Sequence, residues 1–143
     1  MPPPTRVLFV CIHNSARSQM AEAFVNHLGG ARFLAESAGL EPGRLNPVVI
    51  SIMSEIGIDI SGNKTKSVAD MIQSGERYSY VITVCDEASA ERCPVFPGQV
   101  RRLHWSFPDP SRLPGDLQEQ IAATRKIRDD IKKKVEDWLK SPH

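Results

Sequence analysis

Short apolar runs alternate with amphipathic stretches along the chain. Residues 6–10 and 80–84 are continuous runs of β-branched, aromatic and other apolar side chains, which predict strands buried on both faces of a sheet. Residues 32–36 favour another strand. In residues 100–105, arginine and histidine stand among the apolar side chains, and this mixture is typical of a strand at the edge of a sheet.

The stretches between these runs carry apolar residues at helical spacing. Met20, Phe24 and Leu28 recur every four residues up to a pair of glycines, where we expect a glycine cap to end the helix. Asn46 and Pro47 supply an N-cap and a first-turn proline for a second helix. The apolar residues that this helix is expected to bury are Val48, Val49, Ile52, Met53 and Ile56.

Two more helices are predicted further along. Residues 66–73 favour a short helix, and the tail favours a long amphipathic helix that covers the sheet. The apolar positions of the long helix are Leu117, Ile121, Thr124, Ile127, Ile131, Val135 and Trp138. Strands that alternate with helices predict an α/β fold with a parallel sheet and helices on both faces. We expect one domain over residues 1–143, with the loops after residues 10, 84 and 105 at one edge of the sheet, where sites form in such folds.

Charge and composition narrow the possible partners. Eighteen Lys and Arg residues against seventeen Asp and Glu residues leave a net charge of +1, without the basic excess of a nucleic-acid or anionic-membrane binder. The longest apolar run, residues 7–12, is too short to span a bilayer, and residues 1–5 lack the features of a signal peptide. We therefore expect a soluble, cytoplasmic protein with no nucleic-acid or membrane partner.

Three cysteines are an odd number for a chain long enough to be stable by burial alone. A framework of structural disulfides is therefore not expected, and reactive thiols or a metal site remain as explanations. The cysteines and histidines lack the paired spacing of a zinc site, so we predict no structural metal.

The loop after the first strand carries the strongest chemical signal. Cys11 and Arg17 are separated by five residues, Ser18 follows, and a helix is predicted to begin there. Backbone N–H groups of such a loop can converge on a tetrahedral oxyanion at a helix N-terminus. The guanidinium of Arg17 adds a planar pair of donors, and its charge favours the thiolate form of Cys11. The predicted oxyanion-binding residues are Ile12, His13, Asn14, Ser15, Ala16 and Arg17.

Individual side chains of this loop have simpler explanations too. Cys11 alone could be a small buried hydrophobic residue, and Arg17 a solvated residue at a helix start. The order of strand, loop, serine and helix favours the anion site instead. Asn14 suits a left-handed turn and His13 tolerates one. Ser18 can donate a hydrogen bond to the thiolate, whereas His13 is assigned no catalytic role.

Several segments together resemble a known family. They are Cys-Ile-His-Asn-Ser-Ala-Arg-Ser at residues 11–18, Glu-Ser-Ala-Gly at 36–39, Gly-Ile-Asp-Ile-Ser at 57–61, the cysteines Cys85 and Cys93, and Trp-Ser-Phe-Pro-Asp-Pro at 105–110. This combination resembles the low-molecular-weight tyrosine phosphatase superfamily, specifically its thioredoxin-coupled arsenate reductase branch. The resemblance implies a four-stranded parallel sheet flanked by helices, and it covers nearly the whole chain.

The resemblance also implies residue roles. Cys11 is the attacking thiolate, with Asn14 to Ser18 as the oxyanion cradle. Cys85 then attacks the arsenic adduct of Cys11, so that arsenite leaves and a disulfide forms. Cys93 takes over the disulfide and presents it to thioredoxin, and no further cofactor is needed because two thiols supply the two electrons. Asp109 is the general acid for the leaving oxygen.

Alternatives stay open for the later residues. Cys85 could fill the core at a strand end, Cys93 could be an ordinary loop thiol, and Asp109 beside a proline could be a turn residue. Some reductases of the branch bind potassium where Asn14, Glu22 and Ser37 lie in this chain. Lys66 occupies the position of the expected acidic ligand, so we predict that its ammonium replaces the cation and that no metal is bound.

Two rival functions use the same residues. A phosphatase would form a thiophosphate on Cys11 and protonate the leaving group from Asp109. Such enzymes usually have aromatic residues after the Asp-Pro pair, whereas residues 111–114 here are Ser-Arg-Leu-Pro. A binding protein could sequester arsenite or a soft metal through its three cysteines, but this function gives no reason for an anion loop with Arg17 and Ser18.

Overall fold

The computed structural model describes residues 3–141, and its centre is one parallel sheet of four strands. The strands are β1 (Thr5–Cys11), β2 (Phe33–Gly39), β3 (Tyr80–Thr83) and β4 (Arg101–His104). Their order in the sheet is β2-β1-β3-β4, with β4 at an edge. All four strands were predicted from the sequence, and the predicted α/β class with helices flanking a parallel sheet is confirmed.

Five α-helices surround the sheet in the part of the chain that the structure describes. They are α1 (Arg17–Leu28), α2 (Pro47–Ser54), α3 (Val68–Gln73), α4 (Glu87–Glu91) and α5 (Leu117–Lys140). Short 3-10 turns occupy Gly30–Arg32 and Pro110–Arg112. The sequence predicted four of the five helices but not α4.

Side-chain caps explain where most of the helices begin. The Asn46 side chain accepts hydrogen bonds from the backbone of Val48 and Val49 at the start of α2, as predicted. Asp86 caps α4 through the backbone of Ser89. Asp116 and Glu119 form a reciprocal capping box at the start of α5. The N-cap of α1 is Ala16, which has no side chain able to accept such a bond, so the first N–H groups of α1 lack a side-chain cap.

The sheet separates two hydrophobic clusters. Val7, Phe9 and Cys11 of β1 belong to the larger cluster, whereas Leu8 and Val10 belong to the smaller one. Because successive side chains of a strand point to opposite faces, the two clusters lie on opposite sides of the sheet. The larger cluster packs under α1, α2 and α5, and the smaller one packs under α3. Each face of the sheet is thus covered, which fits the continuous apolar character of β1 and β3.

Three apolar positions that we expected to be buried are exposed. Leu28, Ile56 and Leu117 are 42%, 41% and 59% exposed. Leu28 is the last residue of α1 and Leu117 the first of α5, while Ile56 lies beyond the end of α2 at Ser54. At these helix ends the chain has already left the layer that faces the sheet. Among residues 3–141, no helix is long and apolar enough to cross a membrane.

Candidate active site

Cys11 lies at the end of β1, where the loop to α1 begins. Its Sγ atom is 2.9 Å from Oγ of Ser18 and 3.2 Å from the backbone nitrogen of Asn14. The thiol, Asn14 and Ser18 are all buried. The loop thus surrounds the sulfur with hydrogen-bond donors, which stabilise a thiolate better than a thiol.

The amide side chain of Asn14 connects Ser18 to the backbone of Lys66. Its Oδ1 atom accepts a hydrogen bond from the backbone N–H of Lys66 at 3.0 Å, so Nδ2 must face the other way. Nδ2 donates to Oγ of Ser18 at 2.8 Å. Either partner can donate in the contact between the Ser18 hydroxyl and a Cys11 thiol, and once Cys11 is a thiolate the hydroxyl is the donor.

Gln19 supports the same network from within α1. Its Nε2 atom donates to the backbone oxygen of Asn14 at 3.1 Å and to Oδ1 of Asn14 at 3.2 Å. Nδ2 of Asn63 donates in turn to Oε1 of Gln19. Asn14 has φ of 56°, and it is the one residue other than glycine with positive φ in the described part of the chain. The left-handed turn predicted for Asn14 is present, whereas His13 does not adopt one.

The backbone of the loop is turned so that its N–H groups face inward. The carbonyl oxygens of Cys11, Ile12, His13 and Ser15 accept hydrogen bonds from the backbone of Leu40, Glu41, Gly43 and Asn46, at 2.7 to 3.1 Å. In a trans peptide the carbonyl and the following N–H point in opposite directions. The N–H groups of residues 12–14 and 16 therefore point away from the segment after β2 and into the loop, as the bond from Asn14 to Sγ of Cys11 demonstrates.

Arg17 is buried at the mouth of this loop. Its NH1 atom donates to the backbone oxygen of Phe107 at 3.1 Å, and NH2 is 3.7 Å from Oδ2 of Asp109. The first turn of α1 contains no acidic side chain. Inward N–H groups and an uncapped helix N-terminus thus lie at Cys11, and the Arg17 guanidinium faces Asp109 from the same loop. Together they form a site suited to a tetrahedral oxyanion.

Asp109 projects from the loop after β4, opposite Arg17. Oδ1 of Asp109 accepts a hydrogen bond from the backbone of Ser111 at 2.9 Å. The other carboxylate oxygen, Oδ2, lies 3.7 Å from NH2 of Arg17 and 3.8 Å from Nε of Arg112. The loops after β1 and β4 therefore meet at one edge of the sheet, as expected, with the carboxyl group beside the cradle.

Gly39 has a role in this site that the sequence did not reveal. A Cβ atom at this position would lie 2.8 Å from the backbone oxygen of Ile12 and 2.9 Å from the backbone nitrogen of Asn14. Gly39 ends β2 and pairs with Cys11 in the sheet. Only glycine allows the cradle to pack this closely on the neighbouring strand.

Replacing Gly39 with alanine should slow catalysis by about one to two orders of magnitude, because the new methyl group displaces the loop that holds the oxyanion. Hydrolysis of p-nitrophenyl phosphate measures the effect. Gly62→Ala is the matched control, since a Cβ atom at Gly62 meets no atom within 4 Å. Equal activity of the two variants would show that the close packing at Gly39 is unimportant.

Cys85 follows β3 and is fully buried in the same cluster as Cys11. Burial raises the pKa of the Cys85 thiol to about 11, and the positive charge of Arg17 opposes this increase. Any negative charge on Cys11 acts in the same direction as burial. Cys85 is therefore a protonated thiol close to the cradle, and the loops after β1 and β3 share one edge, as predicted.

Cys93 lies elsewhere. It belongs to the smaller cluster, on the opposite side of the sheet from Cys11 and Cys85, and it is 5% exposed. Helix α4 separates it from Cys85 along the chain, and all three cysteines are free thiols. The three cysteines lie in two clusters, and in residues 3–141 they form no group arranged to hold one metal ion, so this arrangement gives no support to a three-thiol binding protein.

Lys66 lies beside the buried carboxyl group of Glu22. Its Nζ atom is 3.9 Å from Oε1 of Glu22, and the Ser37 hydroxyl donates to the same oxygen at 2.9 Å. Burial raises the pKa of Glu22, while Lys66 and Ser37 oppose the increase. In residues 3–141, no group of three His, Cys, Asp or Glu side chains is arranged to hold a metal ion.

Comparison with known proteins agrees with this geometry. The family model described as low molecular weight phosphotyrosine protein phosphatase matches residues 6–142. The chain belongs to this family. It is 36% identical over 137 residues to an arsenate reductase of Bacillus subtilis, and the match covers 94% of the chain and 95% of that protein.

Solved structures of this enzyme family show the same fold. One is an arsenate reductase in the phosphate binding state, with a TM-score of 0.72 and 31% identity, covering 94% of this chain and 96% of that one. Another is a thioredoxin-dependent arsenate reductase of Corynebacterium glutamicum, with a TM-score of 0.65 and 30% identity, covering 95% and 64%. The resemblance to the arsenate reductase branch is confirmed.

Proposed function

We propose that the chain reduces arsenate to arsenite through a relay of three cysteines, Cys11, Cys85 and Cys93, and that thioredoxin restores the thiols. The observation that carries this proposal is that Cys85 is buried close to the oxyanion cradle of Cys11. There the positive charge of Arg17 lowers the pKa of the Cys85 thiol, against the effect of burial. A phosphatase has no use for a second thiol at this place. A reductase needs one, because two thiols must supply two electrons.

The first step uses the cradle. Arsenate binds to the inward N–H groups of Ile12, His13 and Ala16 and to the guanidinium of Arg17. The Cys11 thiolate attacks arsenic, an S–As bond forms, and one hydroxyl group leaves as water with a proton from Asp109. Ser18 donates its hydrogen bond to the thiolate until the bond forms.

The second step reduces arsenic. The Cys85 thiolate attacks Sγ of Cys11, so that an S–S bond forms and the S–As bond breaks. The electron pair of the broken bond passes to arsenic, which leaves as arsenite in the +3 state. Cys93 then attacks Cys85, and the disulfide moves to Cys85–Cys93, which thioredoxin reduces by thiol–disulfide exchange.

Hydrolysis of phosphate monoesters is the second candidate activity, because the cradle, Cys11 and Asp109 are sufficient for it. Phosphate has the same tetrahedral shape and charge as arsenate. We expect slow hydrolysis of small aryl phosphates as an accompanying activity of the same site. This activity does not involve Cys85 or Cys93.

A coupled assay tests the proposed function. Purified enzyme is mixed with thioredoxin, thioredoxin reductase and NADPH, and NADPH oxidation is followed on addition of arsenate, beside hydrolysis of p-nitrophenyl phosphate. We expect arsenate-dependent NADPH oxidation that requires all three proteins. Hydrolysis without any arsenate-dependent oxidation would contradict the reductase and leave the phosphatase.

The burial of Cys85 predicts a pH dependence. Its thiol has a pKa of about 11, so near neutral pH the reactive thiolate is scarce, and its fraction rises about tenfold per pH unit. Loss of the Cys11 charge in the arsenic adduct removes one cause of the raised pKa. Arsenite release in a single turnover should therefore accelerate from pH 7.5 to 9, as measured by rapid quenching.

The matched reference for this pH profile is hydrolysis of p-nitrophenyl phosphate by the same preparation, which does not use Cys85. We expect hydrolysis to lack the increase. A flat profile for arsenite release would show that deprotonation of Cys85 does not limit the reaction.

Potassium should change the reductase rate by less than about twofold, because the Lys66 ammonium already supplies a positive charge beside Glu22. The measurement compares potassium chloride with sodium chloride at equal ionic strength. The variant Lys66→Gln removes the charge and should become sensitive to potassium. Strong activation of the unmodified enzyme by potassium alone would overturn this expectation.

A further inference from the structure

The contact between Arg102 and Cys93 joins an edge strand to the third cysteine. NH2 of Arg102, on β4, donates a hydrogen bond to the backbone oxygen of Cys93 at 3.2 Å. Arg102 pairs in register with Val81 of β3, which belongs to the same cluster as Cys93. Residues paired in this way point to the same face of a sheet, so the guanidinium lies on the Cys93 side.

The segment around Cys93 has few other backbone anchors. The N–H of Cys93 bonds to the oxygen of Ala90, within the turn that ends α4, and the next backbone bond outside helices and strands comes from Arg101. The exposed pair Arg92–Glu41 ties the end of α4 to the segment after β2. Arg102 is thus the side chain that fixes the Cys93 backbone to the rigid sheet.

We propose that Arg102 is a positioning residue for the second disulfide exchange: in the reduced chain it lies at the Cys93 backbone and supplies the positive charge that favours the Cys93 thiolate, and its hydrogen bond is released when Cys93 moves to attack Cys85. The inference rests on the proposed reductase function and extends it to a residue that does not touch arsenate.

The exchange that Arg102 assists is balanced in atoms and electrons. The Cys93 thiol releases its proton to water, and the thiolate attacks Sγ of Cys85 in the Cys11–Cys85 disulfide. The Cys85–Cys93 bond forms, the Cys11–Cys85 bond breaks, and Cys11 leaves as a thiolate. The hydrogen bonds from Ser18 and Asn14 receive that thiolate, so the cradle is ready for another oxyanion.

The charges around Cys93 support this role. Burial raises the pKa of the Cys93 thiol, and the charge of Arg102 opposes the increase. Tyr78, in the same cluster, stays neutral because burial raises the pKa of its hydroxyl. Nδ1 of His104, two residues after Arg102 on β4, lies 2.7 Å from the hydroxyl oxygen of Thr83.

The test follows the disulfide after one exposure to arsenate. Samples are quenched with acid and mapped, and the rate at which Cys11–Cys85 gives way to Cys85–Cys93 is divided by the rate of arsenite release in the same variant. Arg102→Gln should slow this exchange by about three- to tenfold, because the smaller thiolate fraction is only partly offset by its greater nucleophilicity. Arg102→Lys should restore part of the rate.

Arg101→Gln is the matched control, because Arg101 pairs with Tyr80 and therefore faces the other side of β4. It should leave the exchange unchanged. Unmodified enzyme should release arsenite and form the Cys85–Cys93 disulfide. If it does, and Arg102→Gln forms this disulfide at the same relative rate, the role of Arg102 is refuted while the proposed reductase function is retained. If unmodified enzyme forms no such disulfide, both fail.

A second measurement separates charge from simple loosening of the loop. In the double variant Cys11→Ser, Cys85→Ser, only Cys93 can be alkylated by iodoacetamide, and the pH profile of alkylation reports its ionisation without arsenate. Adding Arg102→Gln should move the midpoint of this profile to higher pH, and Arg102→Lys should move it back. An unchanged midpoint in Arg102→Gln would refute the electrostatic part of the proposal.

Discussion

Replacing Cys11 with serine should abolish arsenate reduction and phosphate ester hydrolysis together, by about three orders of magnitude or more. Both reactions begin with attack by the Cys11 thiolate, and a serine hydroxyl in the same loop stays protonated near neutral pH. The hydrogen bond between residue 11 and Ser18 can persist, because a hydroxyl group also accepts it. The loss should therefore be chemical and not structural.

Two measurements check this prediction. The steady-state rates of both reactions give the loss, and the thermal unfolding midpoint of Cys11→Ser, set beside that of unmodified enzyme, shows whether the fold is retained. Cys93→Ser serves as the control for hydrolysis, since it removes a buried thiol on the other side of the sheet. Substantial turnover by a folded Cys11→Ser enzyme in either assay would remove Cys11 as the nucleophile.

Replacing either Cys85 or Cys93 with serine should stop thioredoxin-linked turnover of arsenate while hydrolysis of p-nitrophenyl phosphate continues. Without Cys85, no thiol within the chain can displace arsenite from Cys11. Without Cys93, the disulfide stays between Cys11 and Cys85, in the buried cluster. Hydrolysis needs only the cradle and Asp109, so it should survive both changes.

The two variants should differ from each other in a single turnover. Cys93→Ser should release one arsenite per chain and then retain a Cys11–Cys85 disulfide, whereas Cys85→Ser should release none. Arsenite is measured after one exposure to arsenate without thioredoxin. Full thioredoxin-linked turnover in both variants would exclude the relay and leave the site as that of a phosphatase.

The sheet could be predicted because β1 and β3 are short, continuous apolar runs, which suit burial on both faces. Helix α5 could be predicted from its long apolar stripe. Helix α4 could not, because Glu87–Glu91 has five residues and no apolar periodicity, and it depends on the cap from Asp86. A helix of this length leaves almost no pattern in a sequence.

The part of the candidate site that depends on neighbouring residues in the sequence was predictable. The order of strand, Cys11, loop and helix was enough to indicate an anion cradle, and the structure has inward N–H groups there. Gly39 and Gln19 were not predictable, since their roles depend on contacts with residues that the chain brings together only on folding. The location of Cys93 on the other face of the sheet was also not predictable, because it depends on the path of residues 94–100 between Cys93 and β4.

Helix α4 also matters for the proposed relay, because it lies between Cys85 and Cys93 along the chain. Cys85 and Cys93 flank it and lie in different clusters in the reduced chain. A disulfide between them would require this segment to rearrange. Its polar restraints are the Asp86 cap, the exposed Arg92–Glu41 pair and the Arg102 bond to the Cys93 backbone, so a five-residue helix here opens at small cost. The short helix that the sequence did not reveal is thus the part of the fold that the proposed relay would have to move.

Disulfide mapping of unmodified enzyme after a single exposure to arsenate tests the relay most directly. The reduced chain is treated with arsenate without thioredoxin, quenched in acid, alkylated and digested, and the arsenite released is counted. We predict one arsenite per chain, a disulfide between Cys85 and Cys93, and a free thiol at Cys11. An arsenate-treated chain that releases no arsenite and keeps all three thiols free would contradict the account.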